Sequence, residues 1–415
     1  MKAMKRVGKT LIFLCVFIGS ALFGQKNQQV IGGAEINSIT SDDFSDLRWM
    51  DSLVQGKRLV FLGESQHGVN DFNLIKFRLI RYLHQHHGFD VVAFESGAGP
   101  CGITNLMKDS LSGMRMLVHS LLGIWRVKGN CELMNYLKIH QLDLAGLDPN
   151  DGALFFNKDQ LNLILKDREL SRQLAELDSL NYYHFLLPKS KTYFGQEIIK
   201  ETLLDSVAKA LEVKYKILKE KIMNLPNLNE FEKRTFQMAF DAKFLCLSVS
   251  NDRKNPRFFI SFAERDQFMA KKLEYLMDTL YPHRKIIVWA HNAHISKIAD
   301  NKKVNKGASL GSFLPEKIRK QSFIIGIYAT SGQYALGMAP CNSIKYPNSN
   351  LERVYAGFHS KAMFLDSKKI GDKRYFQGLP HYYKINVSKA YDGIILIKEV
   401  ECSKLLKYNK DFVCE

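Results

Sequence analysis

The chain has no Cys-x-x-Cys pair among its seven cysteines, no internal repeat, no low-complexity tract and no apolar run long enough for a comfortable bilayer span. Each absence removes a class of protein. Without closely spaced cysteine pairs there is no structural zinc module. With 46% hydrophobic and 24% charged residues the composition is that of a globular chain with ample core, so wholesale disorder is excluded. No helix-turn-helix, zinc-finger or RNP-like pattern accompanies the formal net charge of +17, and the lysines are spread along the chain. That charge is read as a solvated basic surface that favours anionic polymers or membranes, and no nucleic-acid partner is expected.

What is present begins with a short leader. Lys2, Lys5, Arg6 and Lys9 precede an apolar segment from Leu11 to Phe23, and polar sequence starts at Gln25. This is the layout of a secretory signal peptide over residues 1–24, which predicts an exported protein, periplasmic or extracellular, with no stable membrane insertion after cleavage. Removing four basic residues would leave a charge of +13. Six cysteines would remain, and an oxidising compartment permits bridges among them; Cys402 with Cys414 is the first pair to consider.

The chain is organised around the stretch from Lys57 to Glu95. Leu59 to Leu62 reads as a buried strand that breaks at Gly63 and delivers Glu64, Ser65, Gln66, His67 and Gly68. The period then becomes helical through Phe72, Ile75, Leu79, Ile80 and Leu83, with Asn70 or Asp71 to cap the start and Gly88 to end it. A second apolar run, Val91 to Phe94, stops at Glu95. Such a strand, helix, strand unit crosses over into a parallel sheet, whose ligands bind beyond the carboxyl ends of the strands.

Taken in order, residues 25–40 read as an unstructured lead-in and Asp42 to Leu53 as a helix. Residues 25–150 form the first part of an α/β core, and Leu142 to Leu147 is a third strand that ends at Asp148. Residues 151–280 carry long helical patterns, Leu161 to Leu180, Ile198 to Met223, Glu230 to Val249 and Phe262 to Leu280, and read as a large helical insertion. Tyr182, Tyr183, His184 and Phe185 in one of its links could line a pocket or simply pack between helices. Residues 281–415 return to the core: Ile286 to Trp289 is a fourth strand leading to His291 and His294, and Phe323 to Tyr328 and Gly393 to Ile397 complete the sheet. The predicted fold is α/β, a mostly parallel central sheet flanked by helices.

Parallel strands would gather Glu64, His67, Glu95, Asp148, His291 and His294 at one rim. Singly, each has a plain structural explanation, a satisfied histidine or a helix cap. Together they support three chemistries. A histidine whose other ring nitrogen is held by a carboxylate can take a proton from water that attacks an ester carbonyl. The same residues could instead hold a divalent metal, although Glu64-x-x-His67 and His291-x-x-His294 lack the metalloprotease helix motif. Gly307 to Gly311 fits G-x-S-x-G with Ser309 as nucleophile, but a basic loop precedes it where a buried strand is required.

Gly63 to Gly68, Gly88 and Phe89 before Val91 to Glu95, Gly146 to Asp148, Arg265 and Asp266 with Met269, Trp289 to His294, and Tyr391 with Asp392 resemble, in order and spacing, the erythromycin esterase family. The likeness runs from about residue 45 to 397. It implies an α/β core with a helical portion that hydrolyses a small-molecule ester or lactone by water activation, without cofactor, metal or covalent intermediate. Carried over, it implies His67 as general base, Glu64 and Glu95 orienting or polarising around it, and His291 and His294 lining the same cleft. Where macrolide esterases carry an arginine nine positions after the catalytic histidine this chain has Lys76, and Asp71 stands where a glutamate is usual. With Asp148, these two are expected to contact substrate.

Overall fold

The structure is a computed structural model, and it describes residues 33–150, 156–188, 201–248, 260–298, 308–335, 339–344, 358–370, 375–377 and 384–406. Residues 1–32, which include the leader expected over 1–24, and Cys414 lie outside the described residues.

Eight strands form the central sheet: β1 (Gly33–Ile36), β2 (Leu59–Leu62), β3 (Phe89–Gly97), β4 (Asp143–Asp148), β5 (Lys285–Trp289), β6 (Ser322–Ala329), β7 (Ala362–Asp366) and β8 (Gly393–Ile397). Their spatial order is β1-β7-β8-β6-β2-β5-β3-β4. From β8 to β4 every neighbouring pair is parallel, while β7 runs antiparallel to both β8 and β1. The parallel strands are apolar on both faces because helices cover both. Val60, Leu62, Val92, Phe94 and Ile287 point into one apolar layer, and Leu59, Phe61, Val91, Ala93 and Val288 into the other.

Helix α1 (Asn70–His87) follows β2 and buries Phe72, Ile75, Leu79, Ile80 and Leu83. It ends where Gly88 takes a left-handed conformation, φ 67°, and donates its N–H to the carbonyls of His84 and Leu83. Its start differs from expectation. Val69 is the N-cap residue and no side chain caps it. The Asp71 carboxylate instead accepts the Glu401 N–H at 2.7 Å and pairs with Lys361 at 2.8 Å.

After β3 come α2 (Ala98–Leu106), α3 (Gly113–Ser120) and α4 (Lys128–Ile139); between β4 and β5 come α5 (Lys158–Leu165), α6 (Arg168–Asn181), α7 (Glu201–Met223), α8 (Glu230–Ser248) and α9 (Phe262–Tyr275). The pattern from Leu161 to Leu180 is thus two helices. Lys166 adopts a left-handed conformation, φ 51°, and the Asp167 side chain caps α6 by accepting the Leu170 N–H at 2.9 Å. The pattern from Phe262 to Leu280 is an α-helix to Tyr275 that widens into a π turn over Leu276–Leu280. In the link after α6, Phe185 is buried and Tyr183 exposed.

Three further expectations are corrected. The lead-in is structured from Gly33: β1 pairs with β7, and the buried Arg78 of α1 donates to the carbonyls of Ser38 and Ser41 and pairs with Asp46. The helix expected over Asp42 to Leu53 is a 3-10 turn at Ser45–Leu47 and a short helix at Met50–Val54. Cys402 is bridged to Cys341, 61 residues away, and not to Cys414. Cys131 is also disulfide-bonded, while Cys101 and Cys246 are buried thiols that donate to the carbonyls of Ser120 and Pro149.

Candidate active site

The polar residues gather where β2, β3, β4 and β5 end, at the carboxyl edge of the parallel sheet. Backbone bonds knit these ends together. The Asn292 N–H donates to the Glu64 carbonyl at 2.8 Å and the Ser65 N–H to the Ile327 carbonyl at 2.9 Å. The His291 N–H reaches Glu95 Oε2 at 2.8 Å. Gly68 closes the loop that carries His67. Its φ is +77°, and a Cβ there would lie 1.6 Å from the Ala335 carbonyl oxygen, so only glycine lets the segments approach. Its own carbonyl accepts the N–H groups of Ala335 and Ser403.

The first cluster centres on Glu64. Its Oε1 lies 2.6 Å from His67 Nδ1 and accepts the indole N–H of Trp125 at 3.0 Å, and its Oε2 pairs with the Lys76 ammonium. Burial alone would raise the Glu64 carboxyl, but Lys76 and His67 override it and hold it at about 2. An ionised carboxylate only accepts, so His67 Nδ1 is the donor to Glu64, and in the neutral ring the lone pair falls on Nε2. Nε2 has no hydrogen-bond partner among the described residues, and the His67 side chain is 25% exposed against 2% for Glu64. Lys76 is fully buried, its ammonium 3.7 Å from the centre of the Trp289 ring. Burial pushes it down to about 8 despite the pull of Glu64.

The carboxylates and the imidazole of the second cluster are buried, and Arg265 is partly so. Arg265 of α9 pairs with Glu95 at 2.7 Å and, through Nε at 2.9 Å and also Nη2, with Asp148. His294 places Nδ1 2.7 Å from Asp266 and Nε2 3.0 Å from Glu95 Oε1. Burial would lower this imidazole, but the two carboxylates prevail and raise it to about 9. Arg265 Nη1 also lies 2.9 Å from Nε2, a contact in which the guanidinium donates when that ring nitrogen carries no proton. Glu95 stays well below the carboxylate range: burial opposes this, and His294 and Arg265 prevail. Asp266, which burial raises, is steadied by the Leu310 N–H at 2.9 Å.

His291 stands between the clusters, its ring 5.0 Å from His67 and 6.5 Å from His294. Its Nε2 donates to the Ser65 carbonyl at 3.1 Å and its Nδ1 accepts the Ala293 N–H at 3.1 Å. Burial and the neighbouring His67 push it down to about 3, so it is neutral.

The six rim residues expected from the sequence therefore lie together, but three expected substrate contacts do not face a cleft. Lys76 is sealed beneath Glu64, Asp148 is fully buried against Arg265, and Asp71 is spent on Glu401 and Lys361. Ser309 is no nucleophile: it is fully buried, caps a short helix and donates to the Ser296 carbonyl at 2.7 Å. Among the described residues no group of three His, Cys, Asp or Glu side chains is arranged to hold a metal. Two nitrogens apiece on His291 and His294 are already engaged. Sequence reasoning assigned no role to Arg265, Asp266 or Trp125. The groove of about 670 Å³ beside α6, lined by Phe156, Arg172 and Tyr183, lies away from these clusters.

An α/β protein with its polar residues crowded at the carboxyl ends of parallel strands is the class that fold and site define. Its relatives narrow the class. The profile described as Erythromycin esterase matches residues 84–400, a span that starts after His67 and takes in Glu95, Asp148, Arg265, His291 and His294. The chain is 30% identical over 399 residues to the Bacillus subtilis (strain 168) protein named "Putative hydrolase YbfO", covering 87% of this chain and 88% of that one. It is 23% identical over 417 residues to erythromycin esterase type II of Escherichia coli, covering 88% and 95%. A solved mutant of the erythromycin esterase EreC, in its open conformation, superposes with a TM-score of 0.63 at 18% identity, covering 91% of this chain and all of that one. The chain belongs to the erythromycin esterase family, and the coarser class this gives it is hydrolase.

Proposed function

We propose that this protein hydrolyses a carboxylic ester or lactone with water activated by His67. The observation that carries the reading is the Glu64–His67 pair, in which a buried ionised carboxylate holds Nδ1 at 2.6 Å while Nε2 has no partner among the described residues. Water bound at Nε2 gives up its proton there as its oxygen attacks the ester carbonyl, and Glu64 stabilises the imidazolium that forms. Collapse of the tetrahedral intermediate returns the proton from Nε2 to the departing alkoxide, giving acid and alcohol, or a hydroxy acid from a lactone. Neutral His291 keeps the Ser65 carbonyl in place beside this pair. The second cluster holds Glu95, and with it the His291 N–H, at the rim. The ester class draws support from the names of the relatives. Export draws support from the leader and from the disulfide bridges, which persist in oxidising compartments.

The test is to incubate purified protein with lactones, aryl esters and macrolides, with and without chelator, and to follow products by mass. Cleavage that survives the chelator is expected. Tight ligand binding with no product would reject the enzymatic reading, and loss of activity with chelator would replace water activation by His67 with metal chemistry.

A further inference from the structure

We propose that Trp125 is a positioning residue for this reaction: its indole N–H fixes the Glu64 oxygen that holds His67 and restrains how strongly that oxygen draws a proton onto the imidazole. The inference rests on the reading of His67 as the base and adds to it a residue from a different part of the chain.

Trp125 is 1% exposed, and its indole nitrogen has one acceptor, Glu64 Oε1, at 3.0 Å. That is the same oxygen that His67 Nδ1 meets at 2.6 Å, while Lys76 takes Oε2. Three donors thus occupy one buried carboxylate. A carboxylate held only by His67 and Lys76 could turn about its last bond; the third donor removes that freedom. The indole edge also walls the imidazole, the two rings standing 5.6 Å apart at 84°. Trp125 is itself a built post. It ends a 3-10 turn, Gly123–Trp125, whose preceding residue Leu122 donates its N–H to Ser96 Oγ at 2.9 Å, next to Glu95. The fully buried Asn130 donates to the Trp125 carbonyl at 2.8 Å, as does the Val127 N–H at 2.9 Å. The indole is therefore set by β3 and by the start of α4, and it ties the end of β3 to the loop after β2.

A hydrogen bond to an ionised oxygen takes up part of its charge. With the indole N–H in place, less of the charge on Oε1 is available to stabilise an imidazolium at His67. The other charged or titratable groups around the pair are Lys76 from α1, Glu95 from β3, and His291 and His294 after β5, and a substitution at Trp125 keeps every one of these residues in the chain.

The experiment compares wild type with Trp125→Phe, which keeps an aromatic ring and removes the donor. Expected are a kcat lower by about tenfold, the scale of one hydrogen bond to a charged group, a KM unchanged, and an acid limb of kcat/KM displaced upward by roughly 0.5 to 1 pH unit. Trp125→Gln, which restores an N–H donor, recovers part of the loss. An NMR titration of the His67 ring, which needs no substrate, shows the same upward displacement. Should Trp125→Phe not fold, benzothienylalanine at position 125 keeps the bicyclic shape without the N–H. An unmoved ring titration and acid limb, whether or not kcat falls, would reduce Trp125 to packing and overturn the proposal. If His67→Ala kept full turnover, the base reading would fall, while the ring titration would still report on the Trp125–Glu64 contact by itself.

Discussion

Two assemblies of carboxylate, imidazole and cation share one rim, and they differ in how their histidines are used. In the Glu64 cluster His67 is a quarter exposed and only Nδ1 is engaged. In the Glu95 cluster His294 is buried and both nitrogens meet carboxylates, while Arg265 bridges Glu95 to Asp148. An imidazole held on one side can take a proton from water. One held on both sides is a cross-brace, and the proposed reading accordingly uses His67 as the reactive group and His294 as part of the scaffold.

The contrast can be broken from either side. Glu64→Gln removes the ionised acceptor, so His67 loses its fixed tautomer and Lys76 its counter-charge; ester turnover is expected to fall roughly 10²- to 10⁴-fold, the span for disabling a positioned base. Turnover within a factor of two of wild type would dissolve the distinction. In the other cluster, Arg265→Met leaves Glu95 and Asp148 buried with one cation fewer. Breaking such a buried network costs about 3–5 kcal/mol, read as a lower urea midpoint. An unchanged midpoint would mean that Arg265 is not structural.

A smaller effect concerns the Cys341–Cys402 bridge, which pins the strand-like segment beside Val69 where the His67 loop turns into α1. A bridge closing 61 residues contributes roughly 2–4 kcal/mol, so reductant is expected to lower the unfolding midpoint of wild type and leave Cys341→Ser with Cys402→Ser unaffected apart from Cys131. Equal sensitivity in both would place the effect at Cys131.

The smallest effect is on pH. His294 is raised from 6.5 to about 9, so its stabilising pairs are fully present below pH 6.5 and are lost as pH rises through 9. Lys76 is lowered to about 8, so its burial penalty is relieved only between pH 8 and 10.5. Stability should therefore decline between pH 6.5 and 8, and His294→Asn should flatten that decline. A slope that survives the substitution assigns it elsewhere.

Much of this was legible in the sequence. Parallel strands covered on both faces are unbroken apolar runs, so β2 to β6 announce themselves, and the carboxylates and histidines that stop them mark the rim. Other features were obscured by physics that spacing alone does not carry. Strand β1 is four residues of mixed polarity and is held by its pairing to β7; Ala362 to Asp366 is short and follows a polar stretch. Lys76 read as a substrate contact because it is charged. Yet Phe72, Lys76, Leu79 and Leu83 share one helical face, and that face is the buried one. Asp266 likewise lies one turn before Ala270, on the buried side of α9, with the partly buried Arg265 beside it. The partner of Cys402 could not be found by proximity along the chain, because Cys341 is brought to it by the pairing of Gln333–Tyr334 with Asn342–Ser343 and the bridge from Gly332 to Val400.

The most direct measurement is the turnover of an aryl ester by wild type and by His67→Ala, with unfolding midpoints recorded for both. Loss of roughly 10²- to 10⁴-fold in kcat at an unchanged midpoint is the predicted result. A His67→Ala protein that is folded and hydrolyses the ester at the wild-type rate would contradict the assignment of water activation to this side chain.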